Sequence, residues 1–277
     1  MGRKLEENLL KIWILLSVLW VGAMILFILI YTISRGLGSI SKEFLLSSPQ
    51  GLILGSEGGI FPAIIGSLLL TLIACTFSGV LAIGTAIYLK LYCKSRRLMD
   101  LIHLIIHCTA GIPSIVLGLF GYTFLVYRLG LGMSLLAGGI TLGIMIFPYI
   151  EVRVEKIIHE IEVDLLEASY ALGISKSYTF FRLILPMYQR NIISTITMAG
   201  GFAMGATAPI ILTAAVIFAD VPNSILSPVM ALPFHLYILL GEGISVENAY
   251  GTALVLVAII ILLNMVSLIG KPSKGRK

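Results

Sequence analysis

His103 and His107 stand four apart on a predicted helix with Cys108 beside them, the nearest this sequence comes to a set of metal ligands. A metal site needs a third ligand or a general base, and the sequence places none nearby, so the two histidines read as helix-end residues and no metal is expected. The other cysteines, Cys75 and Cys93, lie in or near apolar runs without metal-type spacing and read as small buried hydrophobes or free thiols. The glycine-rich stretch from Gly51 to Gly59 lacks the lysine and the following helix of a phosphate-binding loop, and no GxxxxGK[ST] occurs elsewhere. ATP hydrolysis by this chain is thereby excluded, and no cofactor is expected. Asp220, Glu242, Glu247 and His235 fall in or beside one loop, where a solvated or gate-lining place suits them better than catalysis. What remains is a series of hydroxyls inside apolar segments: Ser67, Thr71, Thr76, Ser78 and Thr85, then Ser114, then Thr207 and Thr213. Such groups either satisfy helix carbonyls or line a path, where with N–H groups freed near Pro113 and Pro209 they could donate to an oxyanion.

The elements that carry these residues are set by composition. Of 277 residues 58% are hydrophobic and 12% charged, with a mean hydropathy of +1.04, against about 25% charged residues in a soluble domain. The chain is therefore read as an all-α membrane protein. A spanning helix needs about 20 apolar residues, and six segments qualify: about 10–33, 61–89, 101–127, 131–150, 188–218 and 249–269. The first is too long for the core of a signal peptide and ends without a small-residue cleavage site, so it is expected to be retained. Sixteen of the 19 Lys and Arg residues fall on one side of this arrangement; Arg35, Lys42 and Arg128 fall on the other. Positive charge marks the cytoplasmic side, so both termini are expected there. The net charge of +5 then reflects topology and anionic lipid, with no call for nucleic acid as a partner.

The one sizeable cytoplasmic piece spans about 151–187. Ile161, Leu165, Ala168 and Leu172 recur at helical spacing, with Glu162, Asp164 and Glu167 off that face. Gly173 sits where a left-handed residue ends a helix, and Ser175 is placed to cap a second helix that Leu185-Pro186 should close. So small a helix pair cannot bury its own apolar face. It must lie on lipid headgroups or dock on the ends of the spanning helices or on a partner.

The spacing Glu167-Ala168-Ser169, three residues, Gly173, nine residues, Leu183-x-Leu185-Pro186 resembles the EAA signature of ABC-transporter permeases, with Ser169 for the second Ala and Leu183 for Ile. Further segments resemble the phosphate permeases of the PstA type. These are Gly58 to Leu68, the run from Gly111 to Phe120, Gly205-Ala206-Thr207-Ala208-Pro209, Ala231-Leu232-Pro233 and Gly251 to Leu256. The resemblance covers about residues 58–267. It implies a type I importer permease fold and places the chain as a multi-pass protein of the cytoplasmic (inner) membrane. It implies a second homologous permease subunit, two ATP-binding subunits, an extracytoplasmic solute-binding protein and membrane lipid as partners. It further implies that Glu167, Ala168, Gly173, Ser175, Leu185 and Pro186 couple the chain to the ATP-binding subunit.

The domain layout that follows is 1–60 for the first helix and an external loop, 61–270 for the permease domain with coupling helices at about 161–186, and 271–277 for a basic cytoplasmic tail. On this reading Ser67, Thr71, Ser114, Thr207 and Thr213 line the translocation path, and Gly200, Gly201 and Gly205 offer a smooth face to the second permease. One departure stands out. Where the family carries an Arg and, four positions on, the Glu of its GETAP segment, this chain has Phe202 and Ala206. Both members of a pairable couple are gone, which avoids the cost of about 3–5 kcal/mol for leaving one buried charge alone. Inorganic phosphate is the first solute the resemblance implies, another oxyanion or small solute the second. A membrane-embedded enzyme or a stand-alone channel is the alternative outside this class. An enzyme would need clustered acid, base or metal groups at the membrane surface, and a channel would not need a coupling loop.

Overall fold

Lipid offers backbone groups no hydrogen-bond partner, so a chain this apolar must satisfy them within helices. The computed structural model describes residues 2–51, 55, 57–160 and 163–269, and these are helical almost throughout. A long α1 (Gly2–Gly36) is followed by a short α2 (Lys42–Leu46), whose Ser41 cap accepts from Phe44 N–H at 3.0 Å. A two-residue hairpin, β1 (Pro49–Gln50) antiparallel to β2 (Glu57–Gly58), then leads into α3 (Phe61–Ile87). Pro62 in the first turn of α3 sits where a missing N–H costs nothing.

Next come α4 (Arg96–Ala110), α5 (Ser114–Gly121) with a π-helical extension Tyr122–Arg128, and α6 (Leu135–His159). The expected short helix pair is α7 (Val163–Ala171) and α8 (Lys176–Thr179), and the chain continues through α9 (Leu185–Met204), α10 (Ala208–Ile211), α11 (Leu232–Gly241) and α12 (Val246–Ile269).

The centre is the pairing of α3 with α6. Leu142, Ile146, Ile150, Val154 and Ile158 recur every fourth residue along α6 and are all buried. Glycines let the two backbones close up: a Cβ at Gly143 would lie 2.7 Å from Phe77 Cδ1, and one at Gly139 would collide with Ile73. In lipid this packing by small residues substitutes for the hydrophobic drive of a soluble core. By contrast, α1 is exposed along its whole apolar length and meets the rest through its final turn. There a Cβ on Gly36 would stand 2.6 Å from the carbonyl oxygen of Tyr250 on α12.

Among the described residues four helices are long and apolar enough to cross a membrane: Glu6–Ser39, Phe61–Tyr92, Leu135–His159 and Val246–Leu268. The six expected spans are not reproduced as six straight helices. The third is a pair, α4 and α5, bent by 101°, because Pro113 has no N–H to give and drives Ile112 out of helical geometry. The fourth runs on to His159, well past the expected end at 150. The fifth stops at Met204, and the four-residue α10, turns and irregular chain follow to Ala231. The loop expected from 219 to 248 holds the apolar helix α11.

Candidate functional site: a coupling pair and a polar pocket

The expected helix pair is present, although Ile161 and Glu162 and the tail from 270 lie outside the described residues. Gly173 adopts φ +75°, the left-handed turn that its position predicted. Ser175 caps α8 by accepting from Tyr178 N–H at 3.3 Å. Pro186 does not close the second helix. A π-turn at Phe180–Ile184 bonds Leu185 N–H to Phe180 O, five residues back. The widened turn makes room for the proline ring, and α8 runs through it into α9.

Polar bonds fix the pair from inside. Ser169 Oγ and Thr179 Oγ1 share a buried hydrogen bond of 2.6 Å between α7 and α8. Lys176 Nζ donates to Leu91 O at 2.7 Å, and Tyr92 OH and Ser177 Oγ bond at 2.9 Å, tying the pair to Tyr88–Tyr92, the π-helical extension of α3. Ser169, one of the two departures from the family motif, thus holds the two helices together. On the other side Glu167, Ala168 and Gly173 are exposed, with Leu172 (79% exposed), Tyr178 and Phe181 beside them. Large apolar side chains bare on a soluble lobe mark an interaction surface.

The expected path residues divide. Ser114 and Thr207 line one cavity of about 370 Å³ together with Gly201, Phe202, Ala206 and Pro209. It lies where the α4–α5 bend meets the broken end of α9, at the N-terminal end of α5 with its surplus of N–H donors. The two residues standing for the family's charge pair, Phe202 and Ala206, are in its wall, so the cavity has hydroxyls but no charged lining residue.

Ser67 and Thr213 hold structure instead. Ser67 Oγ accepts from Leu232 N–H at 2.8 Å at the start of α11, and Thr213 Oγ1 donates to Pro209 O at 2.8 Å. Thr71 and Thr76 border a mostly apolar groove of about 630 Å³ between α3 and α9. Gly200 does not belong to a free face. Its Cβ would lie 2.8 Å from Cys75 Sγ, so it serves contact between α9 and α3.

A second constellation was not read from the sequence. His103 Nε2 lies 3.0 and 3.1 Å from the carboxylate oxygens of Glu155, and His159 Nε2 lies 3.4 Å from the same group. One turn earlier Glu151 is fully buried, and neither of its carboxyl oxygens has a hydrogen-bond partner among the described residues. The signal was the spacing of Glu151, Glu155 and His159 at four-residue intervals, hidden because the span was ended at 150. His103 is thereby accounted for as a hydrogen-bond partner of Glu155. His235, expected to be solvated or gate-lining, is buried in α11, and burial pushes its pKa down to about 4. Asp220, Glu242 and Glu247 are exposed.

Residues 78–270 match the family described as "Binding-protein-dependent transport system inner membrane component". Over 240 residues the chain is 31% identical to the "Probable phosphate transport system permease protein PstA" of Methanocaldococcus jannaschii, covering 84% of this chain and 82% of the relative. It is 25% identical to the "Probable ABC transporter permease protein YqgI" of Bacillus subtilis, over 96% and 95% of the two chains. A solved structure described as an inward-facing conformation of the MetNI methionine ABC transporter superposes with a TM-score of 0.59 at 19% identity, covering 76% of this chain and 95% of that one, which supports the fold. Family match, helical architecture and motif agree: the chain belongs to the inner membrane components of binding-protein-dependent transport systems, as a multi-pass, PstA-type permease subunit of an ABC importer.

Proposed function

We propose that the chain translocates inorganic phosphate by alternating access, driven by ATP hydrolysis in a separate ATP-binding subunit. The reading rests on one observation above all. The pocket that brings Ser114 and Thr207 together at the start of α5 offers hydroxyl and backbone donors to an oxyanion and sets no carboxylate against it. The name of the Methanocaldococcus jannaschii relative supports phosphate as that anion.

Residues 61–270 form the permease unit. Within it the 161–186 pair, through Glu167, Ala168, Gly173 and Ser175, sits on the ATP-binding subunit, with Leu185-Pro186 passing motion into α9. A second permease, two ATP-binding subunits and an extracytoplasmic solute-binding protein complete the assembly, with both termini of this chain on the cytoplasmic side. The uncharged Phe202 and Ala206 favour a second reading, in which the solute is a different oxyanion or small molecule.

Uptake of labelled phosphate by cells expressing the full system, against the same system with Ser114→Asp, separates the two. A carboxylate placed in the pocket should abolish phosphate uptake while the subunits still assemble. Undiminished phosphate uptake would remove the pocket from the path. Restoration of high uptake by Phe202→Arg with Ala206→Glu, from a parent without phosphate uptake, would assign the natural chain to another solute.

A further inference from the structure

At the end of α1 away from its basic start lies a cavity of about 450 Å³ with no place on the proposed path. It is lined by Tyr31, Ser34, Arg35, Ser39, Glu247 and Tyr250. The volume is in the range of small-molecule sites, and the wall carries one cation, one anion, two phenols and two serine hydroxyls. The Arg35 guanidinium stands 5.7 Å from the centre of the Tyr31 ring, and that ring meets Tyr250 edge-on at 5.7 Å. Ser39 Oγ donates to the backbone oxygen of Glu247 at 2.9 Å, closing the wall between the turn after α1 and the start of α12.

Among the described residues the contacts within 4 Å between a basic side chain and a carboxylate are those of His103 and His159 with Glu155. Arg35 and Glu247 therefore border the same cavity without pairing. A simple anion would meet Glu247 there and a simple cation would meet Arg35, whereas a ligand carrying both charges answers both. The cavity borders α1, whose apolar length is 0% buried, with Phe27 and Ile28 bare below the tyrosines. A ligand with apolar chains could lay them along that helix. Tyrosine at the end of such a helix marks the depth of lipid headgroups.

We propose that this cavity binds the headgroup of an amine-bearing phospholipid. The phosphodiester lies on Arg35 with the tyrosine and serine hydroxyls, the ammonium group lies toward Glu247, and the acyl chains run along α1.

The test uses the full chain purified, stripped of lipid and titrated with phosphatidylethanolamine, with phosphatidylglycerol and with inorganic phosphate, bound molecules being counted by native mass spectrometry. The wild type should prefer the ethanolamine lipid. Arg35→Ala should weaken it by about tenfold, the scale of one lost charge-assisted hydrogen bond, and Arg35→Lys should recover most of that. Glu247 also sits in the first turn of α12, where a carboxylate suits the helix dipole. Glu247→Gln is therefore read by selectivity: it should bind the ethanolamine and glycerol lipids equally. Chromatographic profile and melting temperature report folding for each variant. Equal binding of both lipids by the wild type, unchanged affinity of Arg35→Ala for the ethanolamine lipid, or displacement of lipid by inorganic phosphate would each overturn the assignment.

Discussion

The cytoplasmic helix pair and the Ser114–Thr207 pocket belong to one chain and are built in opposite ways. The pair is wired: a buried hydroxyl bond joins α7 to α8, and Lys176 and Ser177 anchor it to the π-helical extension of α3. The pocket has no side-chain ion pair, and two positions that the family charges are Phe and Ala. A lever has to transmit displacement without loss, so each internal bond matters to its stiffness. A path has to release what it binds, and hydroxyls and helix-end donors hold an anion less tightly than a guanidinium. Of these two regions, the helix pair carries buried and anchoring side-chain bonds, whereas the pocket is lined by hydroxyls and apolar groups without a charge.

The largest expected break in this comparison is at the turn. Gly173→Val puts a β-branched residue at φ +75°, a conformation such residues all but refuse. Solute uptake should fall by about tenfold or more, since the angle between α7 and α8 is lost, while Gly173→Asn, which tolerates that geometry, should keep most of it.

A smaller effect is expected inside the pair. Thr179→Val leaves Ser169 Oγ buried without a partner and should cost about 1–3 kcal/mol of stability, measured by thermal or denaturant unfolding. Adding Ser169→Ala should return much of it, because removing both partners is cheaper than orphaning one. The smallest effect belongs to the pocket. Ser114→Ala should leave the melting temperature unchanged and weaken half-saturating solute by only a few-fold, the scale of one neutral hydrogen bond. A large loss there would contradict the contrast drawn here.

What could be read from residue order follows the same division. The turn at Gly173 and the cap at Ser175 were legible because single residues dictate local backbone geometry. The reach of α9 was not: Pro186 normally ends a helix, and its passage depends on a π-turn that spacing does not announce. The bend between α4 and α5 was signalled by Pro113, but an unbroken apolar run concealed it. Ser114 and Thr207 meet because that bend and the break after Met204 fold toward each other, whereas Ser67 and Thr213, alike in sequence, spend their hydroxyls on backbone. Hydropathy marks where polar groups are rare and says nothing about which neighbour each will face. Glu151 makes the same point, since only the packed structure reveals a buried carboxyl without a donor.

The central claim is that the exposed face of the helix pair docks on an ATP-binding subunit. Tyr178 and Phe181 are 57% and 61% exposed, and Phe181 touches the interior through one edge-on ring contact with Phe180 at 5.3 Å, so a charge at either should cost little internal packing. The direct measurement is co-purification of the ATP-binding subunit with the chain carrying Tyr178→Glu and Phe181→Glu. The account predicts that the ATP-binding subunit is lost while the variant remains in the membrane with an unchanged melting temperature; retention of the subunit at wild-type ratio would contradict it.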